Sequence, residues 1–493
     1  MKQRRVSRGV ALAPMQLPQR MAATDALFWY AETALPIFRP IIAGLYILDR
    51  QPSPEVVVRT HELALALVPR LRQRVAEVPL GLALPLWADD PHFDPAYHIR
   101  HVSLAHPGTM RELLDLTAAL FATPLDRERP LWEAYCIEGL EHGRSAYFFK
   151  MHHALVDGVG AVTLLQALTQ AHPGEEPRVV HPQRTGHLPV PRGLFEAMAD
   201  TGRELAAVAG RIGRLPLDVV GAPLESAAQV WRMLRAARGV VAELGNPVTQ
   251  DPLVESTSGL SRRLDVLEIP LEKLQSLKKA FGVTINDIVL AALAGTLHAY
   301  HRQRRVHVDT LTCMVPMSLR GRDDRDSLGN RVGMFNIQLP VGERRADHRL
   351  QQIVRQTQTA KGDKRGTLYP FLVQTLTVIP AAAFRWLAQQ SLGRVNLACT
   401  NIPGLATRRY LAGARVEAIY PFASVVQGTP LVVALFSYAD AMNIGIDTDP
   451  EAIPDPHRIS ELFVAELEAM AERIPRRPQA HRGRKRHVHA KAS

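Results

Sequence analysis

Two adjacent histidines stand three residues ahead of an Asp-Gly pair in the run Phe149-Lys150-Met151-His152-His153-Ala154-Leu155-Val156-Asp157-Gly158. Imidazole titrates near neutrality, so a histidine placed here can take a proton from a hydroxyl at cellular pH. The aromatic-rich run 145–151 predicts a strand and the apolar run 159–171 a helix, which puts the pair at a strand end, a rigid platform. Asp157 and Gly158 suit a tight turn that can fold the carboxylate back under an imidazole or into a salt bridge that fixes the loop. Adjacent strand residues point to opposite faces, so only one of the two histidines is expected to look into a given site. The same alternation counts against a metal: rings on opposite faces cannot ligate one ion, and no third ligand stands at suitable spacing nearby. By residue type alone a histidine pair on a strand can simply be packing. The completeness of HHxxxDG argues for chemistry, because four fixed residues arise by chance in about one chain of this length in a thousand at average usage.

The elements that must position this turn can be read outward from it. Residues 53–68 predict a helix with Ser53 as N-cap, Pro54 at the first helical position and Pro69 as stop or kink. Five prolines in 173–192 mark a linker, followed by two stretches of helical period, one around Leu194 to Ile212 and one around Leu224 to Val241. A Pro-, Ser- and Thr-rich loop at 245–261 leads into a second globular half. There, runs 263–269, 310–317, 332–339, 394–399, 431–438 and 442–447 predict strands, and 271–280, 286–300 and 457–473 predict helices, the second almost wholly apolar and hence buried. The expected organisation is a basic tail (1–14), a first α/β domain carrying the histidines (15–172), a helical crossover (173–261), a second α/β domain (262–474) and a second basic tail (475–493).

The chain has 493 residues and a formal net charge of +11, which invites a nucleic-acid reading until the charge is located. Residues 1–14 carry Lys2, Arg4, Arg5 and Arg8, residues 475–493 carry seven further Lys and Arg, and neither stretch has an acid, so residues 15–474 are formally neutral. Nucleic acid is therefore not an expected partner of the body. Cys136, Cys313 and Cys399 are widely spaced and form no CxxC, which suggests neither a disulfide framework nor a zinc site and fits a reduced cytoplasm. The basic N-terminal stretch is interrupted by Pro14 and Pro18 and is not expected to act as a secretory or twin-arginine signal. No apolar run approaches the length of a membrane span.

Other blocks accompany HHxxxDG: Trp87-Ala88-Asp89-Asp90-Pro91-His92-Phe93-Asp94 and His98, Pro124-Leu125-Asp126-Arg127-Glu128-Arg129-Pro130-Leu131-Trp132-Glu133, Asn286-Asp287, Val315-Pro316-Met317-Ser318-Leu319-Arg320, Leu328-Gly329-Asn330, Thr400-Asn401-Ile402-Pro403-Gly404 and Asn443-Ile444-Gly445-Ile446-Asp447. In this order they resemble the bacterial bifunctional wax ester synthase/acyl-CoA:diacylglycerol acyltransferases. That family lies in the CoA-dependent acyltransferase superfamily with chloramphenicol acetyltransferase and peptide-synthetase condensation domains. The resemblance runs from about residue 24 to 456. It implies an α/β (α+β) fold of two chloramphenicol-acetyltransferase-like domains, each a mixed sheet with helices. It also implies transfer of a long-chain acyl group from acyl-CoA to diacylglycerol, a fatty alcohol or both.

By the same resemblance His153 is the general base, with direct attack on the thioester and no acyl-enzyme; no GxSxG elbow supports a serine nucleophile. Acyl-CoA is a substrate, and no cofactor or metal is expected. His152 and Asp157 also spell the H-x4-D of glycerol-phosphate acyltransferases, which would make a different histidine the base. Asn286 is a candidate donor to the thioester oxygen or a positioning residue, but Thr284 as N-cap with Asp287 three residues on equally predicts a helix start. Asp157 is expected to be structural, paired with Arg320. Pro130, Leu131 and Trp132 read as fold support or tunnel wall, and Gly428 as room for an acyl chain or a strand entry.

Lipid acceptors imply a cytoplasmic enzyme peripherally attached to the inner membrane face or to lipid inclusions. Arg232, Arg235 and Arg238 beside an apolar stripe, together with the tails, offer the means. Two other classes stay open at this point: a superfamily acyltransferase acting on a non-lipid alcohol or amine, and a non-catalytic lipid-surface or nucleic-acid-binding protein.

Overall fold

The structure, a computed structural model, describes residues 17–34, 38–77, 84–156, 158–174, 251, 259–318, 332–362, 395–424 and 429–473. The predicted crossover helices and both tails lie outside the described residues. The first half runs α1 (Ala23–Ala34), β1 (Ile41–Leu48), α2 (Pro54–Leu67), β2 (Gln73–Ala76), β3 (Leu86–Asp89), α3 (Pro95–His98), β4 (Ile99–Ser103), α4 (Met110–Ala122), β5 (Trp132–Leu140), β6 (Arg144–His152) and α5 (Gly158–Leu168). The second half continues with β7 (Arg263–Pro270), α6 (Leu271–Phe281), α7 (Ile285–Gln303), β8 (Leu311–Ser318), β9 (Val332–Leu339), α8 (Ala346–Gly362) and β10 (Leu397–Leu405). It closes with β11 (Tyr410–Leu411), β12 (Ala414–Ala423), β13 (Leu431–Tyr438), β14 (Ala441–Thr448) and α9 (Pro456–Glu472).

Local signals account for most of these boundaries. Ser53 Oγ accepts the Val56 N–H and Pro54 opens α2. Thr284 and Asp287 form a reciprocal capping box at the start of α7, which is buried along most of its length. Strand β10 runs well past the expected 394–399 and through Pro403 and Gly404. A register irregularity between Ile402 and Leu405 absorbs them while the strand stays parallel to β13.

Two six-stranded mixed sheets result, in the orders β11-β12-β1-β6-β5-β4 and β7-β14-β13-β10-β8-β9. One face of the first sheet buries Trp132, Tyr147, Phe149 and Met151 against α1, α2 and α5. Its other face buries Leu45, Tyr135 and Phe148 against α4. The second sheet packs on α7, α8 and α9. Among the described residues no single helix is long and apolar enough to cross a membrane; α6 and α7 qualify only as a pair bent by 98°, and α7 belongs to the core.

The halves are not separate in the sheet. Strand β12, from the second half, pairs antiparallel with β1 from Ile42–Ala423 to Leu48–Val416 and so completes the first sheet. Among the described residues β11 pairs only with the start of β12, so no strand there needs a ladder bond from Pro421 on the outer edge. Strand β14 then crosses close over β12, and a Cβ on Gly445 would lie 1.9 Å from the Pro421 carbonyl oxygen. Gly445→Ala is therefore expected to push the two sheets apart and destabilise the protein by about 2–3 kcal/mol. Thermal denaturation checks this, and an unchanged melting temperature would contradict the tight crossing.

Candidate active site

The HHxxxDG segment stands where β6 ends. Strand β6 lies between β1 and β5, with Ile41 opposite His152 and Trp132 opposite Met151, so the site is carried by the middle of the first sheet. His152 is the last strand residue, and residues 153–155 turn. The expected strand alternation accordingly does not extend to His153, and both rings meet the same helix. His153 stacks on Phe28 of α1 with ring centroids 4.1 Å apart and 9° between planes. His152 meets Trp29, the next residue of α1, edge-on at 6.0 Å.

The turn is pinned through its backbone. The His152 N–H donates to Leu131 O at 3.0 Å, the His153 N–H to Pro40 O at 2.6 Å and the Leu155 N–H to His152 O at 2.9 Å. A fourth bond comes from the Ala154 N–H to His152 Nδ1 at 3.0 Å. His152 is 1% exposed, whereas His153 is only partly buried, with its Nδ1 shut away from solvent. His152 is enclosed, and burial pushes its pKa down against the opposing pull of Glu32, so it stays neutral near pH 7.

Beneath the turn the Pro130-Leu131-Trp132 block is wholly buried, and its packing role is visible. Trp132 donates its indole N–H to Leu71 O at 2.8 Å and stacks on His98 at 4.6 Å and Phe149 at 5.6 Å. On the opposite face Lys150, 0% exposed, donates to Leu120 O and Thr123 O at the end of α4 and pairs with Glu133 at 2.9 Å. Glu133 also accepts from Tyr135 Oη at 2.6 Å and pairs with Arg100 at 3.2 Å, so the buried charges are met from several sides.

The Asn286-Asp287 pair divides its duties. Asp287 closes the capping box and accepts a further bond from Thr357 Oγ1 at 2.7 Å, a structural use. Asn286 Oδ1 accepts from Asn401 Nδ2 at 2.6 Å, which joins two of the sequence blocks and leaves the Asn286 N–H groups for other acceptors. Ile402 and Leu405, on the same strand as Asn401, pack against the cluster holding Met151, Ala154, Leu155 and Val156. Strand β10 thus carries both the Asn286–Asn401 contact and side chains that touch the first half. Gly158 opens α5. Asp157, Arg320 and Gly428 lie outside the described residues, and the expected Asp157–Arg320 pair with them.

Reasoning from sequence passed over Phe28, Trp29 and Glu32, and quoted Arg127 and Asn401 without a role. Glu32 Oε2 lies 3.6 Å from His152 Nε2 and is ion-paired to Arg127, whose guanidinium carbon sits 3.3 Å from the centre of the Trp29 ring. Burial raises the pKa of the Glu32 carboxyl, but His152 and Arg127 outweigh it and hold the group below its ordinary value. The signal available in sequence was the i, i+4 spacing of Phe28 and Glu32, which shares a helix face.

Comparison with known proteins follows the geometry. Residues 21–289 match the family described as the wax ester synthase/diacylglycerol acyltransferase catalytic domain, and residues 328–471 match its C-terminal domain. The chain belongs to the wax ester synthase/diacylglycerol acyltransferase family. Among similar proteins, a putative diacylglycerol O-acyltransferase of Mycobacterium tuberculosis is 32% identical over 463 residues, covering 89% of this chain and 96% of its own. A probable diacylglycerol O-acyltransferase of the same organism is 31% identical over 474 residues, covering 92% and 99%. The solved wax ester synthase/diacylglycerol acyltransferase from Marinobacter aquaeolei VT8 superposes with a TM-score of 0.63 at 23% identity, covering 92% of this chain and 99% of that one. The first condensation domain of the calcium-dependent antibiotic synthetase gives 0.59 at 18%, covering 93% and 97%. The family and the two-domain acyltransferase fold expected from the sequence blocks are thus both found.

Burial also sets a pH dependence. The pKa of His61, which bonds Val57 O and Tyr147 Oη, is pushed down to about 4, and burial lowers those of His98 and His152 as well. Between the lowered folded values and the ordinary unfolded value of about 6.5, the unfolded chain binds more protons, so stability rises with pH. The contribution is complete above about pH 6.5 and is lost as pH falls, by up to about 1.4 kcal/mol per pH unit for each such histidine. The melting temperature is therefore expected to fall between pH 7 and pH 5, and less steeply in His61→Gln, whose amide can still bond Tyr147. An equal slope in the variant would contradict this origin.

Proposed function

We propose that the protein is an acyl-CoA-dependent O-acyltransferase that makes neutral lipids, taking a long-chain acyl group from CoA to diacylglycerol or to a long-chain fatty alcohol. The observation that carries this reading is the pinned turn at the end of β6, which presents one partly exposed imidazole within a chain that matches the family along most of its length. His153 Nε2 takes the proton of the acceptor hydroxyl as its oxygen attacks the thioester carbonyl carbon. The tetrahedral intermediate then collapses, the carbon–sulfur bond breaks, and the CoA sulfur leaves with the proton returned by His153. The products are an ester and free CoA, with no acyl-enzyme and no resident cofactor in the scheme.

Charge on the thioester oxygen needs a donor, and Asn286, its own oxygen occupied by Asn401, offers Nδ2–H for that role. Asp157 is assigned an orienting role and Gly428 a place beside the acyl chain. Acceptors of this kind are dissolved in lipid, so the enzyme works attached to the inner membrane face or to inclusions. The seven basic residues and no acids of 475–493 supply the attraction, at about 1 kcal/mol for each residue near an anionic surface.

Thiol release from palmitoyl-CoA, with hexadecanol, dioleoylglycerol or a small alcohol offered as acceptor, tests the chemistry. Turnover is expected with a lipid acceptor and should fall about 100-fold or more in His153→Ala. Retained turnover in that variant would overturn the base assignment, and turnover with the small alcohol alone would move the protein to a non-lipid acceptor class. Asn286→Ala is expected to lower kcat by about 100-fold if its amide meets the oxyanion. Binding to anionic vesicles should weaken with salt and on removal of residues 475–493; binding indifferent to both would remove the tail from the attachment.

A further inference from the structure

The enclosed histidine of the pair has a definite proton arrangement. Its Nδ1 accepts the N–H of Ala154, so the proton of the neutral ring must sit on Nε2. Nε2 faces the carboxylate of Glu32 at 3.6 Å, too long for a hydrogen bond in this unliganded state but well placed for a carboxylate facing an N–H. Glu32 is itself held: its side chain is 8% exposed, Arg127 pairs with it, and the Arg127 guanidinium lies over Trp29, which keeps the carboxylate from swinging away. Ala154 follows His153 directly, so the bond from Ala154 to His152 spans the residue that carries the base.

We propose that Glu32 is a positioning residue of the acyl-transfer site, holding the His152 proton on Nε2 so that Nδ1 stays the acceptor that locks the turn presenting His153. The proposal rests on the reading of His153 as general base. Glu32 does not touch substrate in this scheme and acts through His152. The acceptor atom matters here rather than the charge. Arg127 and His152 meet the same oxygen, Oε2, so in Glu32→Gln an amide oxygen at that place still serves both and Nε2 stays the donor. In Glu32→Leu no acceptor faces the Nε2 proton, and the ring loses the group that favours it there over Nδ1. In Arg127→Met the carboxylate still faces Nε2 and the tautomer is kept.

The test uses the full chain as wild type, Glu32→Leu, Glu32→Gln and Arg127→Met, with histidine rings labelled with 15N. Ring nitrogen shifts are read by long-range 1H–15N correlation, and kcat and KM by thiol release from palmitoyl-CoA with hexadecanol. The expected result is a kcat about 10- to 100-fold lower in Glu32→Leu with KM within about twofold, a loss out of proportion to its fall in melting temperature. One histidine should gain the Nδ1–H form in that variant, while Glu32→Gln and Arg127→Met keep their tautomers and lose less kcat for a similar fall in melting temperature. Activity losses that track melting temperature in all three variants, or no change of tautomer in Glu32→Leu, would overturn the proposal. A wild type without turnover on any lipid acceptor would overturn the functional reading instead, and the tautomer measurement would still decide whether Glu32 sets the proton on His152.

Discussion

Strand β1 is hydrogen-bonded on one edge to β6, which ends at His152, and on the other to β12, which arrives from the far half of the chain. Everything at the site depends on that double pairing. The first half of the sequence supplies the histidines but not the whole sheet that holds them, so the reactive turn and the junction between the halves form together. Long-range strand pairing of this kind costs loop-closure entropy before any contact returns it, and folding is expected to be slow relative to a helical protein of similar size. The same strand exchange brings β14 across β12 at Gly445, so the contact that completes one sheet also docks the second.

Given that frame, the chemistry is a matter of what is enclosed and what is left open. The strands under the turn bury charge on one face, where Lys150, Glu133 and Arg100 satisfy one another, and rings on the other, where Trp132 is stacked between neighbours. Neither face leaves the backbone of the turn room to shift. Helix α1 supplies the last surface: Phe28 sets the plane of His153, and Glu32 faces the far nitrogen of His152. Of two adjacent imidazoles, one is thereby made a structural pin and the other a group that can exchange a proton.

The parts legible in sequence were those with a local signature. The caps at Ser53 and Thr284 announce α2 and α7, alternating or apolar runs announce β6, β13 and β14, and the motif blocks point to the family and through it to the fold. Less legible were features that need two distant segments. Nothing local says that residues 414–423 join the first sheet, and Pro421 argues against a strand until its open edge is seen. Asn401 stood inside a motif block with no element assigned to it, and only the strand through that block sets it against Asn286. Glu32 had no motif around it; its meaning comes from a histidine and an arginine brought to it from elsewhere in the chain. The residues read around the histidines thus leave out the groups that pack against the turn from α1.

The most direct measurement of the central claim is the structure of the protein with hexadecanol and a thioether analogue of palmitoyl-CoA, which cannot be cleaved. The account predicts the acceptor oxygen within about 3.2 Å of His153 Nε2 and close to the thioether-borne carbon that stands in for the thioester carbonyl. An acceptor oxygen seated away from His153, against any other side chain able to take its proton, would contradict it.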